Sequence, residues 1–558
     1  MAFLANQKQE LEDHPQALAF VADEKRDILQ ALEQDFSDDS ISEVEQIHHK
    51  PPPRQFALIM IGLSSCVFLS SLDQIIVATS IPAISRDFSS LHDISWLGTA
   101  YLMTSTSCQP LYGKFSDIFG RKALILFANF IFLVGSIISG WSTSMTMLIA
   151  GRGVAGIGAG GLIAMVFIII SDMLDMRERS KYIGAISAVN ALSSVAGPLL
   201  GGVFSDNITW RWSFWINMPI VAISTFFISA NLNLPASKGS FKDKIRRMDL
   251  LGAPLLMIAV TLILLPLSWG GNKYEWSDGV IIGLLCAGFA VSGIFLLVEW
   301  KVPKEPIVPL HLFKIRNLWV TYTSVFFSGM SYFGILFYAP IYFQVVKKES
   351  ATIGGLEIVP FIFGIVFSSI FSGVWANKKG TFLFFLPLGY FIFAIGSAIC
   401  LLFKSGSPHF VPVVAFIVCG IGMGFTMQTS MLAVQAAAEP KYMATVTALA
   451  QFMRSLGQVF GIAILGTVFN NKLKDSLEHD FPGDTNVMRV TQNYSYTFHF
   501  TPDKIVVIYE SFVTALHYAF YCCVIFCLIS LISSFFLHHK KLENSPSRAR
   551  PEAAVEIP

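Results

Sequence analysis

The sequence predicts an all-α polytopic membrane protein with fourteen transmembrane helices, and three observations carry that reading. Of the 558 residues, 53% are hydrophobic and 14% are charged, whereas a soluble chain is about 25% charged. With a mean hydropathy of +0.59, the chain has too few charges to cover a folded surface in water. The apolar residues come in unbroken runs, such as ALILFANFIFLVGSIISGW over 123–141. About 20 such residues cross a bilayer as a helix, while a barrel strand would alternate apolar and polar at period two. Finally, Lys and Arg fall unevenly on the connecting loops. A net charge of +1 and this apolar excess exclude a disordered chain, a collagen, a coiled coil and a nucleic-acid binder.

The predicted spans are 56–80, 94–112, 123–141, 146–170, 182–204, 213–233, 250–268, 280–298, 319–343, 354–376, 382–403, 410–430, 445–469 and 514–537. An even count puts both tails on one side. Loops and flanks on that side hold twenty-two Lys and Arg, against six (Arg86, Arg211, Lys273, Lys347, Lys348 and Lys404) in the short loops opposite. Basic loops stay in the cytosol, so the tails are expected there. Two glycosylation sequons, at Asn207 and Asn493, both fall on the far side.

All eight cysteines lie inside predicted spans and read as packing residues. No zinc signature or phosphate loop appears; the Gly113-Lys114 pair lacks the upstream glycine that a phosphate loop needs. Residues 1–49 hold twelve acidic and three basic residues and no apolar core. They read as a disordered tail without a cleavable signal. Within them Glu24-Lys-Arg-Asp-Ile28-Leu29 has the form of an acidic dileucine sorting signal.

The span-by-span chemistry begins with Leu72-Asp73-Gln-Ile75-Ile-Val-Ala-Thr-Ser-Ile-Pro82, a carboxylate inside a membrane helix. Such a group costs about 2.5–3.5 kcal/mol to insert and marks a functional candidate. The loop after the second span reads Gly113-Lys-Phe-Ser-Asp117-Ile-Phe-Gly120-Arg121-Lys122, one acid among bases in a tight turn. The fourth span carries Arg152-Gly-Val-Ala155-Gly156-Ile-Gly158-Ala-Gly160-Gly161, where glycines let backbones touch and the arginine needs a partner. The fifth carries Ser193-Ser-Val-Ala-Gly197-Pro198-Leu-Leu-Gly201-Gly202, a kink with a smooth face. Trp210-Arg-Trp-Ser-Phe-Trp-Ile-Asn-Met-Pro219 reads as an interfacial aromatic belt.

The 113–122 loop resembles the signature loop of the major facilitator superfamily, G-x-[LF]-[SA]-D-x-x-G-R-[RK], whose acid pairs with neighbouring helices and holds the outward-open state. A degenerate copy, Gly373-Val-Trp-Ala-Asn377-Lys-Lys-Gly380, stands where a second repeat should have it. The first span resembles the L-D-x-T-I-V-x-x-x-x-P signature of the 14-helix drug:proton antiporter branch, with Ile75 for threonine. The fourth is similar to R-x-x-Q-G-x-G, with Ala155 for glutamine, and the fifth to G-x-x-x-G-P-x-x-G-G, with Ser193 for the first glycine. The stretch 109–122 is also similar to fungal vacuolar basic amino acid transporters.

The resemblance implies two six-helix bundles of the major facilitator fold plus two inserted linker helices. The expected divisions are an acidic cytosolic tail (1–54), a first bundle (55–234), a basic loop with two linker helices (235–318), a second bundle with a long non-cytosolic loop at 470–513 (319–537), and a tail (538–558). It also implies proton coupling through Asp73 and Arg152, a gating loop of Gly113, Asp117, Gly120, Arg121 and Lys122 with Asn377 as the weaker counterpart, and an antiporter motif of Gly197, Pro198, Gly201 and Gly202. A central pocket is expected from Asp73, Asn190, Tyr322, Tyr332, Gln428 and Arg454. A Met- and Phe-rich wall suits apolar cations, and a single mid-span acid favours drug-like cargo over arginine or lysine. The implied function is proton-coupled antiport exporting drugs, toxins or metabolites by a monomer without cofactor or metal, across a plasma or vacuolar membrane. Alternatives are a vacuolar importer of basic amino acids and a non-transporting nutrient sensor. No convergent nucleophile and base point to an enzyme.

Overall fold

A computed structural model describes residues 51–88, 95–234, 244, 247–271, 274–303, 305–349, 351–484, 487, 500 and 502–538. Residues 1–50 and 539–558, with the dileucine-like pattern and the Asn493 sequon, lie outside these. Among the described residues the fourteen long helices are α1 (Pro53–Phe88), α2 (Ser95–Phe119), α3 (Arg121–Gly140), α4 (Met145–Met173), α5 (Met176–Asn207), α6 (Asn217–Asn231), α7 (Gly252–Trp269), α8 (Gly279–Lys301), α9 (Arg316–Ile341), α10 (Val359–Lys379), α11 (Phe385–Ile399), α12 (Phe410–Ala437), α13 (Met443–Asp480) and α14 (Pro502–Ser534), with short helical segments at Trp212–Trp215 and Ala351–Leu356.

Thirteen of these regions are long and apolar enough to cross a membrane. The exception is α2, 25 residues long, whose Ser105, Thr106, Ser107 and Gln109 lower its hydropathy while being buried against neighbours. Helix starts follow local chemistry: the Ser144 hydroxyl accepts from the Met147 amide ahead of α4, and the Asp278 carboxylate from the Val280 amide ahead of α8.

In the first bundle α4 packs between α2 and α3, and α1 packs on α5 and α6; in the second α12 lies between α10 and α11, and α9 packs on α13 and α14. The same arrangement thus occurs twice. The inserted α7 lies on α2, and α8 lies on α7. In α4, 78% of the most apolar window is buried inside the protein, against 17% in α8. An all-apolar helix left that exposed faces lipid, so α8 is peripheral. The bundles meet along two seams, α2 on α13 and α5 on α10.

Two expectations need correction. The loop expected from 470 to 513 is largely helix: α13 continues to Asp480 and α14 begins at Pro502. The polar letters of 470–480 hide a stripe of Phe469, Leu473 and Leu477, all fully buried at i, i+4 spacing. Phe469 meets Phe512 at a ring distance of 6.1 Å, and Ser511 donates to Asp480 at 3.2 Å. The aromatic belt also loses a member. Trp210 is buried, its indole N–H donating to Asp87 at 2.9 Å, while Trp141 and Trp212 remain exposed.

Candidate functional site

A cleft of about 810 Å³, counting its open mouth, lies between the bundles. From α1 it takes Ser71, Gln74 and Ile75, from α5 Ser187, Asn190 and Ser194, from α9 Tyr332 and Phe333, and from α13 Gln451, Arg454 and Gln458. The Ser71 hydroxyl donates to the Asn190 side chain, tying α1 to α5 across one wall. Leu102, Ile163, Phe167 and Leu336 add apolar surface.

Toward the face where α1 begins and α14 ends, here the basic face, the bundles are in contact. Gln109 donates to Ser455 at 3.0 Å. A Cβ on Gly113 would stand 2.6 Å from that of Ala448, and one on Gly373 would stand 2.7 Å from the Ser180 carbonyl. Only glycine allows either seam to close. Ser180 donates to the Gly373 carbonyl at 2.8 Å, Gln428 to the Ser180 carbonyl at 3.1 Å, and Arg179 to Gln435 at 3.3 Å.

The expected pocket residues therefore divide. Asn190, Tyr332 and Arg454 line the cleft. Gln428 is instead built into the seam, and Tyr322 is sequestered in the second bundle with its hydroxyl on the Val446 carbonyl at 3.3 Å. Asp73 is also absent from the lining. Its carboxylate turns into the first bundle, where one oxygen accepts from Arg152 and the other from Asn217 at 2.8 Å. Both members of this pair are 1% exposed. Arg152 also donates to the Leu97 carbonyl at 3.1 Å and stacks on Tyr101, 4.2 Å from the ring centre. Asn217 is held by Ser136 at 3.1 Å. This second ring of partners was not legible as such, although Asn217 and Tyr101 are polar groups within apolar runs. Ile75, where the resembled motif has threonine, packs against Gly197, whose added Cβ would meet the Ile75 side chain at 3.0 Å.

The stretch expected as a loop is mostly helix, since 113–119 form the last turns of α2, Gly120 breaks the helix and Arg121 begins α3, and its charges form a knot. Arg121, the first residue of α3, pairs with Asp117 at 2.6 Å and with Asp172 of α4 at 2.6 Å. Gly120 takes φ 92° and its repeat counterpart Gly380 takes φ 66°, backbone that L side chains resist. The offset of 260 residues that relates Gly113 to Gly373 and Gly120 to Gly380 also relates Asp117 to Asn377 and Arg121 to Thr381. Both charges of the Asp117–Arg121 pair are thus missing from the second half. Lys122 lies in the first turn of α3, half-buried.

Sequence reading missed Glu305. It takes Lys114 at 2.8 Å and Arg247 at 2.8 Å, fastening the linker segment to the end of α2. Burial works against its charge, but hydrogen bonds from Arg247 and Lys114 hold the carboxyl below the usual glutamate range. The contact therefore persists through the usual glutamate range and is lost only as pH falls below it, through the lowered folded-state value. A lone Glu in a loop carries no sequence signal of this role. In the antiporter-like stretch Gly201 is buried, and Gly202 has open space around it. Asn207, the last residue of α5, is exposed on the opposite face. All eight thiols are free.

Two like bundles around a cleft that is sealed at one face define a secondary-transporter architecture. Residues 63–462 match the Major Facilitator Superfamily, and the chain belongs to that family. It is a multi-pass membrane protein. It is 33% identical to the efflux pump dotC of Dothistroma septosporum over 76% of this chain and 73% of that one. It is 30% identical to the aspyridones efflux protein of Neocamarosporium betae over 92% of each chain. To the vacuolar membrane amino acid uptake transporter fnx2 of Schizosaccharomyces pombe it is 32% identical, over 85% of this chain and 83% of that one. Among solved structures, the proton:xylose symporter XylE superposes with a TM-score of 0.55 at 12% identity, covering 87% of this chain and 96% of that one. At that identity the likeness speaks for the fold alone.

Proposed function

We propose that this protein is a proton-coupled antiporter that exports small organic compounds from the cytosol. The observation that carries the reading is one helix with two faces. Ser71, Gln74 and Ile75 of α1 line the cleft, while Asp73 on the same turn is paired with Arg152 inside the bundle. Protonating Asp73 would neutralise the acid and leave a buried guanidinium unpaired, an expensive state that the bundle relieves by moving α1. Because α1 also holds cargo residues, a proton entering from one side favours release of cargo on the other. Proton and cargo then need not compete for one carboxylate, as the sequence alone implied. The charge asymmetry assigns the basic face to the cytosol, so the cleft as it stands is closed to the cytosol. The efflux-pump relatives support export, and a single chain contains the whole cleft. The plasma membrane and the vacuolar membrane both suit such a protein.

The relative fnx2 favours a second reading, import of basic amino acids into the vacuole. The lining of the cleft opposes it, since none of its residues is acidic. A non-transporting sensor is disfavoured by the intact knot at Asp117 and Arg121. In reconstituted proteoliposomes, an imposed pH gradient should speed the movement of at least one small organic compound about tenfold, as exchange coupled to a proton requires. Flux indifferent to the gradient for every compound moved would remove protons from the scheme.

Topology has its own check. An epitope inserted after Gly483, where the chain turns at φ 79°, should be protected from protease in sealed cells or vacuoles whose cytosolic side is exposed. An N-terminal epitope should be cut under the same conditions. The reverse pattern would invert the orientation.

A further inference from the structure

We infer, granting the transport reading, that the cargo is an amphipathic organic anion whose acidic group is bound by Arg454. Among the described residues five arginines of the two bundles are buried or half-buried, and four have compensation of their own, Arg211 through Asp87 at 3.0 Å. Arg152 has Asp73, Arg121 has Asp117 and Asp172, and Arg179 is wrapped by the Ser171 and Leu174 carbonyls. Arg454 differs. It is 8% exposed and lines the cleft. One of its terminal amino groups donates to the Met427 carbonyl at 3.4 Å and to the Ser430 hydroxyl at 3.0 Å. Among the described residues no carboxylate pairs with it, and its remaining donors have no protein acceptor.

A guanidinium removed from water is stable only when its charge and its donors are met. The cleft offers nothing of the opposite sign, because its polar lining is otherwise serine, threonine, asparagine, glutamine and tyrosine. The intramembrane acid Asp73 is already held by Arg152 and Asn217. The charge on the wall of this cleft is therefore positive. A planar carboxylate or enolate matches the fork of the guanidinium with two parallel hydrogen bonds. Gln451, one helical turn before Arg454, has a buried side-chain oxygen without a partner, which would take a hydroxyl or amide N–H beside the acid group. Phe167, Phe333 and Leu336 supply the apolar contact for the rest of the molecule. This reverses the cationic preference expected from sequence, which rested on a Met- and Phe-rich wall in a pocket that also held Asp73.

The test uses three probes sharing one apolar body: 2-naphthylacetate, 2-naphthylethanol and 2-(2-naphthyl)ethylammonium. Binding is measured by tryptophan quenching on the full chain in lipid nanodiscs at neutral pH, and transport in proteoliposomes under a pH gradient. The anion should bind about tenfold more tightly than the cation, the effect of a charge-assisted pair. Arg454→Lys should keep that order, and Arg454→Gln should erase it while binding of the alcohol changes little. The competition among the three probes on unaltered protein needs no variant, so misfolding of Arg454→Gln leaves a decisive measurement. Equal or tighter binding of the cation, no binding of the anion, or undiminished anion binding by folded Arg454→Gln would each overturn the inference. If the alcohol or the cation is driven by the gradient and the anion is not, export stands and the substrate class falls. If the anion binds but no probe moves, the class stands and the transport reading falls.

Discussion

Asp73→Asn is expected to lower gradient-driven transport to below about a tenth of the unaltered rate at equal surface expression, because it removes the one titratable acid of a fully buried pair. The geometry adds a condition that the residue alone does not reveal. Arg152 is 1% exposed and takes its only carboxylate from Asp73 among the described residues. The single substitution therefore strands a buried positive charge, which typically costs about 3–5 kcal/mol. Loss of transport could then reflect a damaged bundle instead of lost coupling. The companion variant Asp73→Asn with Arg152→Gln separates the two, since both partners become neutral amides that can bond each other and Asn217. This double variant should recover thermal stability and surface expression without recovering the response to a pH gradient. Gradient-driven flux returning in full would place the proton site elsewhere.

Asp117→Asn should cost about tenfold or more in transport, and Asn377→Ala no more than a few-fold, reflecting a charged against a neutral hydrogen bond. Asp117 meets Arg121 at 2.6 Å with 23% of its side chain exposed, so solvent screens part of the interaction. Arg121 also retains Asp172 when Asp117 is neutralised. The loss is accordingly nearer about 2 kcal/mol than the full penalty of a stranded buried charge. A two-state transporter balanced within a few kcal/mol is still shifted strongly by that amount. In the second half the matching positions are Asn377 and Thr381, which cannot form an ion pair. Transport rates at matched expression decide the point. Equal damage from both substitutions would mean that the knot does not latch by charge.

The fourteen helices were legible because hydrocarbon thickness leaves a long apolar run with no other stable form. Even α2, the one long helix that falls short on hydropathy, was read as a span over 94–112. Polar helix beyond the bilayer was not legible: 470–480 reads as loop until Phe469, Leu473 and Leu477 are seen facing Phe512. The charged knot at 113–122 was found by its residues, since a glycine at a helix break and an acid three residues before a Gly-Arg pair are local properties. Glu305 escaped because its partners, Lys114 and Arg247, are distant in sequence and only the fold brings them together.

By itself, then, the sequence determined which residues sit within the membrane, in what order, and with what chemistry. Only the tertiary structure decided which way they face. Each step along a helix turns the side chain by about 100°, so neighbours at one depth enter different environments. Gln74 lines the cleft, whereas Asp73 turns to Arg152; Met427 lines it, whereas Gln428 joins the seam. Depth follows from counting along one helix. Facing depends on how that helix is rotated against its neighbours, which is set by contacts such as Gly113 on Ala448 and Gly373 on Ser180. The sign of the charge in the cleft is such a property. Asp73 and Arg454 are both visible as intramembrane charges, but only the packing of the helices pairs the first with Arg152 and leaves the second facing the cleft.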